Sequence, residues 1–392
     1  ANSYIGIFII MFSIISSGMV SVMTQNIGAG RPGVAYQARQ LGLLFNAVAG
    51  VLMVVFLFSG AGAILRMVGI ADALYEPALI YLKIVGGGCI LNAVIPIFSS
   101  YLRAFGYTKQ PLYATIVGNI ANFVMNAVFL FVLHKGVAGV AAATVISKIL
   151  NLCIVLYFSH KLISAKNSTE RIANKTVLGQ IVKVGLPSAC ETALYNVAMM
   201  LVIRFLNQMD AEGLNVTARS YTATISNFSY CVGAALAQAN AIMTGWHIGA
   251  GELEECDRGT KRAAFVGVCV AVCMETAIVL GSGFIMPLFT DNPEMTALVR
   301  KLLAIDIVLE IGRVTNLVFG QALKTSGDAV FPAVIAAVFM FVFAVGGTWL
   351  FGISMGLMAV GAYIGLASDE CVRAVGMVWR WKTGKWRTKK LV

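Results

Sequence analysis

Asp306, Glu310 and Arg313 stand inside one long apolar stretch. Their i, i+4, i+7 spacing puts all three on one face of a helix. Two acids beside one Arg leave a spare negative charge, which suits a proton, Na⁺ or an organic cation. The competing reading is a buried Glu310–Arg313 pair that only braces its surroundings. Other ionisable residues among apolar neighbours are candidates on the same ground, because each is costly there. Glu275 lies in the middle of its apolar run. Glu191 follows Gly185-Leu186-Pro187 by one turn, where an interfacial segment bends into a helix; it is a site residue or simply solvated. Lys83, Lys148 and Arg219 are counter-ions or snorkel to the surface. Asn119, Asn122 and Asn126, at i, i+3, i+7, set three amides on one face. They are either glue between helices or a neutral cation-coordinating face.

Other chemistry has little support. The 8 Cys include no C-x-x-C, and Cys269 and Cys273 read as packing residues. His134, His160 and His247 sit near the ends of apolar runs, which argues against a zinc site or His catalysis. No nucleophile–base pair is visible, so no enzyme is expected. The sequons at Asn167 and Asn174 fall in a loop expected on the cytoplasmic side and read as chance.

The elements that position these groups must be membrane spans. The chain has 392 residues, 59% of them apolar and 12% charged. So much apolar surface cannot all be buried in a soluble core, which excludes a soluble enzyme or nucleic-acid binder. A spanning helix needs about 20 mostly apolar residues. Eleven runs qualify, near 4–27, 38–60, 78–101, 111–133, 138–160, 186–207, 217–244, 263–289, 298–322, 329–351 and 355–379. Gly86-Gly87-Gly88 in the third reads as a close-packing site. The expected class is an all-α, polytopic integral membrane protein. The opening run is not a signal peptide, because it is too long and no basic segment precedes it.

The loops alternate in charge. One side holds Arg31, Arg39, Arg103, Lys109, the basic residues of 161–183, Arg258, Lys261, Arg262, Lys324, Arg373 and the tail from Arg380. The other holds Arg66, Lys135, Arg204, Arg300 and Lys301. The positive-inside rule makes the first side cytoplasmic, with the C-terminus inside and residue 1 outside. Net charge +11 then reports topology and needs no nucleic acid. The tail is expected to anchor that topology and to touch anionic membrane lipid.

The chain also repeats itself. Ile27-Gly28-Ala29-Gly30 returns as Ile248-Gly249-Ala250-Gly251, an offset of 221. The same offset aligns Leu102-Arg103 with Leu323-Lys324, Gly106 with Gly327 and Pro111 with Pro332. Ordered matches at one spacing argue for duplication. The offset spans an even number of helices, so the halves share one orientation. The expected units are a helix bundle over 1–162, a cytoplasmic linker over 163–184, a second bundle over 185–382 and a basic tail over 383–392. The helix at 186–207 has no partner in the first half. The repeat therefore predicts a further helix ahead of residue 1, and a parent of twelve spans in two six-helix bundles.

Several stretches resemble a known family. Tyr101-Leu102-Arg103-Ala104-Phe105-Gly106 with Pro111, then Asn122 and Asn126, then Gly136-Val137-Ala138-Gly139-Val140-Ala141-Ala142-Ala143-Thr144, are similar to the fourth to sixth helices of MATE (multidrug and toxic compound extrusion) transporters. So are Gln25 to Gly30, Gly185-Leu186-Pro187, Leu323 to Asp328 with Pro332, and Asp369-Glu370-Cys371-Val372-Arg373. The resemblance is to prokaryotic members and implies two bundles around a cavity that opens alternately to each side. It implies antiport, with Na⁺ or H⁺ entering while an organic cation or drug leaves, and no cofactor beyond that coupling ion. The family's first-bundle cation site implies roles for Asn122 and Thr144. Asn126 stands where the family has an Asp, a departure. In other branches acids on the seventh and tenth helices matter, which points to Glu191, Asp306 and Glu310, with Na⁺ near the last two. The expected partners are a small cationic or amphipathic substrate and membrane lipid. The expected setting is a monomer in the bacterial cytoplasmic membrane. A flippase for a lipid-linked glycan, with Arg313, Lys83, Lys148 and Arg219 as cavity cations, is the alternative.

Overall fold

A computed structural model describes residues 2–67, 72–163, 170–210 and 213–392. The polar residues Ser164, Lys166, Asn167, Ser168 and Thr169 of the expected linker lie outside the described residues. Among the described residues every regular element is helical. They are α1 (Asn2–Gly28), α2 (Pro32–Met67), α3 (Asp72–Gly87 and Cys89–Ala104), α4 (Lys109–Ala127, extended by a π-helical turn Val128–Val132) and α5 (Gly136–Leu162). Then follow α6 (Asn174–Met209), α7 (Leu214–Ala250), α8 (Leu253–Ile285), α9 (Pro293–Ser326), α10 (Val330–Phe339, with π-helical Met340–Val345 and Thr348–Ser354) and α11 (Met358–Lys382). These match the expected spans in order. α6 begins at Asn174, inside the stretch expected as linker.

Among the described residues seven helices are long and apolar enough to cross a membrane on composition alone: α2, α3, α4, α5, α6, α8 and α10. The chain is a multi-pass membrane protein. α7, α9 and α11 have the length but more polar residues. Those residues point inward: Ser226 and Ser229 on α7, Asp306 and Glu310 on α9, and Asp369, Glu370 and Arg373 on α11 are all buried. In a bilayer a polar face is tolerated where it meets protein or an internal cavity, so these three helices mark the place to look for a site.

The chain divides into two compact units, residues 1–189 and 190–392, and the division falls within α6. In the first unit Leu57, Leu82, Cys89, Ala93 and Ala141 form part of a core shared by α2, α3 and α5. Gly88 both packs closely and interrupts α3: a Cβ there would lie 2.8 Å from Val145 Cγ2. Arg39, expected with the loop charges, is instead buried, its guanidinium over the rings of Tyr36, Phe98 and Tyr101.

In the second unit α9 is held at both ends. Asn292 accepts from the amides of Glu294 (2.8 Å) and Met295 (3.2 Å) and caps its start, with Pro293 as the first helical residue. Gly327 ends it at φ +97. The basic tail is folded. Trp386 is buried and stacks on Trp381 at 4.2 Å, and Trp381 Nε1 donates to Asp257 Oδ1 at 2.7 Å. A Cβ on Gly327 would run into the carbonyl of Lys389. We therefore expect Gly327→Ala to cost about 1–3 kcal/mol through left-handed strain and to undock the tail. Limited trypsin digestion checks this: the variant should lose its C-terminal residues well before wild type does, with the helices still intact.

Candidate functional site

α9 carries the residues that spacing alone singled out. Asp306 and Glu310 are 3% and 0% exposed. Arg313 forms an ion pair with Glu310 one turn away. The same guanidinium reaches Glu370 on α11, Nε to Oε1 at 3.7 Å. Glu370 also accepts from Asn316 Nδ2 at 3.0 Å and pairs with Arg373 Nη2 at 2.8 Å. Arg373 binds Asp369 twice, at 3.0 and 2.7 Å. Fork-to-carboxylate contacts of this kind fix geometry as well as charge.

Backbone contact makes the network possible. A Cβ on Gly312 would lie 2.7 Å from Cys371 N and 2.8 Å from Glu370 C. Glycine lets α9 and α11 approach at the level of Arg313 and Glu370. Wider spacing would leave those charges apart.

Beside the network lies a cavity of about 350 Å³ within the second unit, the size of a small-ligand pocket. Asp306, Arg313, Asp369 and Glu370 line it, with Arg219, Ser226 and the rings of Tyr195, Tyr230 and Tyr363. Arg313 stands 5.7 Å from the centre of the Tyr230 ring. Asp306 Oδ2 and Glu310 Oε2 are buried without a hydrogen-bond partner. Glu275 on α8 is wholly buried and faces Asp306 and Glu310. The Ser229 hydroxyl is next to it, but neither of its carboxylate oxygens makes a well-formed hydrogen bond. Burying carboxylate oxygens without partners is costly, so this seam of α7, α8 and α9 invites a proton or a cation. Among the described residues no three His, Cys, Asp or Glu side chains are grouped as a metal-ligand set.

The structure thus brings together Asp306, Glu310, Arg313 and Glu275. Glu191 on α6 pairs with Lys324 Nζ at 2.8 Å, within electrostatic reach of Arg373. Its side chain is paired and only partly exposed, and Lys324 is not a free loop charge. Arg373, also counted with the cytoplasmic edge, is 4% exposed and belongs to the network. Asn122, Asn126 and Thr144 lie in the first unit. Asn126 Nδ2 donates to Asn122 Oδ1 at 3.1 Å, and Asn122 Nδ2 to Ser147 Oγ at 3.4 Å. Thr144 Oγ1 donates to the Val140 carbonyl at 3.0 Å. Of these the Asn122–Ser147 bond ties α4 to α5, and the other two lie within one helix. Lys148 donates to Asn92 Oδ1 at 2.8 Å in the same unit, and Lys83 is exposed.

Asp369, Glu370 and Arg373 were missed as site residues, although an acid pair followed one turn later by Arg is the pattern that flagged α9. The three cavity tyrosines gave no signal, since aromatic residues are ordinary in apolar helices.

The comparisons with known proteins agree with this architecture. The MatE family model matches residues 1–128 and 187–350. The uncharacterized transporter YisQ of Bacillus subtilis (strain 168) is 31% identical over 395 residues, covering 99% of this chain and 86% of the relative. A multidrug resistance MATE family transporter of the MOP superfamily, solved in an outward-facing conformation, matches 99% of this chain and 87% of its own at 19% identity and TM-score 0.87. A MOP superfamily transporter from Pyrococcus furiosus matches 98% and 87% at 19% identity and TM-score 0.81. Reverse polarity of its binding pocket suggests a different function for that protein. At such identities the two structures speak for the fold alone. The family model and the Bacillus relative carry the assignment further, and on them the chain belongs to the MATE family.

Proposed function

We propose that this transporter is a secondary antiporter that exports organic cations or cationic amphipaths in exchange for Na⁺ or H⁺ by alternating access. One observation carries the reading: buried acids converge at the cavity of the second unit without enough positive charge to match them. Asp306, Asp369 and Glu370 line it against Arg219 and Arg313, with Glu275, Glu310 and Arg373 buried behind them. A wall with that excess attracts a cation. Asp306 and Glu310 exchange the coupling ion and influence the cationic substrate, and the tyrosines give its apolar body a surface. The cycle turns because the two ligands have different affinities for the two orientations of the cavity.

A lipid-linked glycan carrying phosphates suits this wall less well. Of the cations that would serve it, Lys83 and Lys148 are in the first unit, Arg313 is held by Glu310 and Glu370, and Arg219 is left as a single cation on the cavity wall. The loop charges support a C-terminus on the cytoplasmic side of the bacterial membrane.

The test is dye efflux from bacteria lacking their own pumps. Asp306→Asn and Glu310→Gln should each reach the membrane at wild-type levels and lose efflux by about tenfold or more, as expected when a charged contact is removed. Normal efflux by both variants would contradict the proposal, as would accumulation of a lipid-linked precursor in the deletion strain without any change in dye efflux.

A further inference from the structure

The end of α11 and the tail carry charges that the fold leaves unmatched. Lys382, Lys385, Arg387, Lys389 and Lys390 are all exposed. Among the described residues none of the five forms an ion pair. The acids nearby are already taken. Asp328 accepts twice from Arg380, at 2.7 and 3.2 Å. Asp257 accepts from Trp381 at 2.7 Å and pairs with Lys261 at 2.6 Å. The run is folded all the same. Trp386 and Leu391 are buried, and Trp386 Nε1 donates to the Trp381 carbonyl at 3.0 Å. Trp381 in turn meets the ring of Phe319 on α9 at 5.9 Å, and the Lys389 carbonyl lies against Gly327. The apolar side of the tail is thus spent on the ends of α8, α9 and α11, and its cations face outward.

Trp379 sets the depth of this surface. Its ring is 57% exposed on α11, and an exposed Trp on a membrane helix belongs at the boundary of lipid and water. Lys382 stands three residues further on, about 4.5 Å along the axis. Stretched out, residues 383–392 would reach about 33 Å beyond the helix, several screening lengths from the membrane. Folded, they stay at the helix ends, at the level of the headgroups. We propose that the folded tail is a docking surface for anionic phospholipid headgroups, and that a bound lipid clasps the ends of α8, α9 and α11 together. Charge alone would suit an acidic macromolecule as well; the depth singles out lipid. Anionic lipid is concentrated in the cytoplasmic leaflet, the side that the loop charges support for the C-terminus. Each Lys or Arg held near such a surface strengthens binding by about fivefold. The fold adds one feature that a loose basic run lacks. Packing of Trp386, and not the number of charges alone, holds the cations at the surface.

The test uses the full chain in detergent, titrated with dioctanoyl phosphatidylglycerol and with dioctanoyl phosphatidylcholine, and native mass spectrometry counts the bound lipids. Wild type should bind the anionic lipid about tenfold more tightly, and its unfolding temperature should rise with that lipid alone. Lys385→Gln, Arg387→Gln and Lys389→Gln together leave the packing in place. They should reduce the preference to about twofold or less and abolish the rise in unfolding temperature. Trp386→Ala keeps every cation and should lose the preference too, whereas Trp386→Phe, which keeps a ring on Trp381, should retain most of it. No preference in wild type, or an undiminished one in the triple variant, overturns the inference. So does an undiminished preference in Trp386→Ala, which would reduce the tail to a loose basic run. Glycerol 3-phosphate competing as well as the whole anionic lipid would mark a site for soluble phosphates and overturn it as well.

Discussion

Arg313→Gln is expected to be among the most damaging single substitutions in the second unit. The guanidinium pairs with Glu310, which is wholly buried, and reaches Glu370 across the α9–α11 contact. Removing one partner of a buried pair strands the other charge, at a cost of about 3–5 kcal/mol. The variant should be poorly expressed or unfold at a clearly lower temperature in detergent. The double variant Arg313→Gln with Glu310→Gln removes the stranded charge and should recover most of that loss. Transport should stay low in both, because the double variant also lacks a proposed coupling residue. A double variant no more stable than Arg313→Gln alone would mean that the pair does not set the cost. Thermal unfolding of the two variants beside wild type separates these outcomes.

Gly312→Val is expected to have the next largest effect. Its Cβ would meet the backbone of Glu370 and Cys371, and backbone cannot swing aside as a side chain can. The helices must separate, at a cost of about 3 kcal/mol from overpacking. Separation lengthens the contact between Arg313 and Glu370, already 3.7 Å, and the 3.0 Å bond from Asn316. We expect loss of dye efflux together with lowered thermal stability. Gly376→Val is the control, because a Cβ there meets only the Cγ2 methyl of Ile335, at 3.6 Å, an ordinary van der Waals contact. Equal damage from both substitutions would show that the close approach at Gly312 has no special role.

How much of this was legible in advance follows from the range of the forces involved. Each helix is announced by a local run of apolar residues, so the order of elements is readable from the chain. The three charges on α9 are readable too, because i, i+4, i+7 is a statement about one helix. What escaped depends on partners far apart in sequence. Glu191 meets Lys324, and nothing near either residue announces the other. Arg373 sits near the basic end of its span, so counting charges by side assigned it to the cytoplasm. Only the packing of α11 against α9 shows that it turns inward to Asp369 and Glu370. The tail reads as a basic run touching anionic lipid, yet Trp386 stacks on Trp381 and Lys389 lies against the turn at Gly327. The π-helical turns of α4 and α10 also left no mark in the apolar pattern, which does not distinguish them from α-helix.

The central claim is that unmatched acids in the second unit couple cation entry to substrate exit. Proteoliposomes containing the purified chain test it directly. A fluorescent organic cation is placed inside, and an inward gradient of Na⁺ or of H⁺ is imposed from outside. The account predicts dye export driven by one of the two gradients, none without a gradient, and none with Glu310→Gln. Export at the same rate with no gradient, or undiminished export by Glu310→Gln, would contradict it.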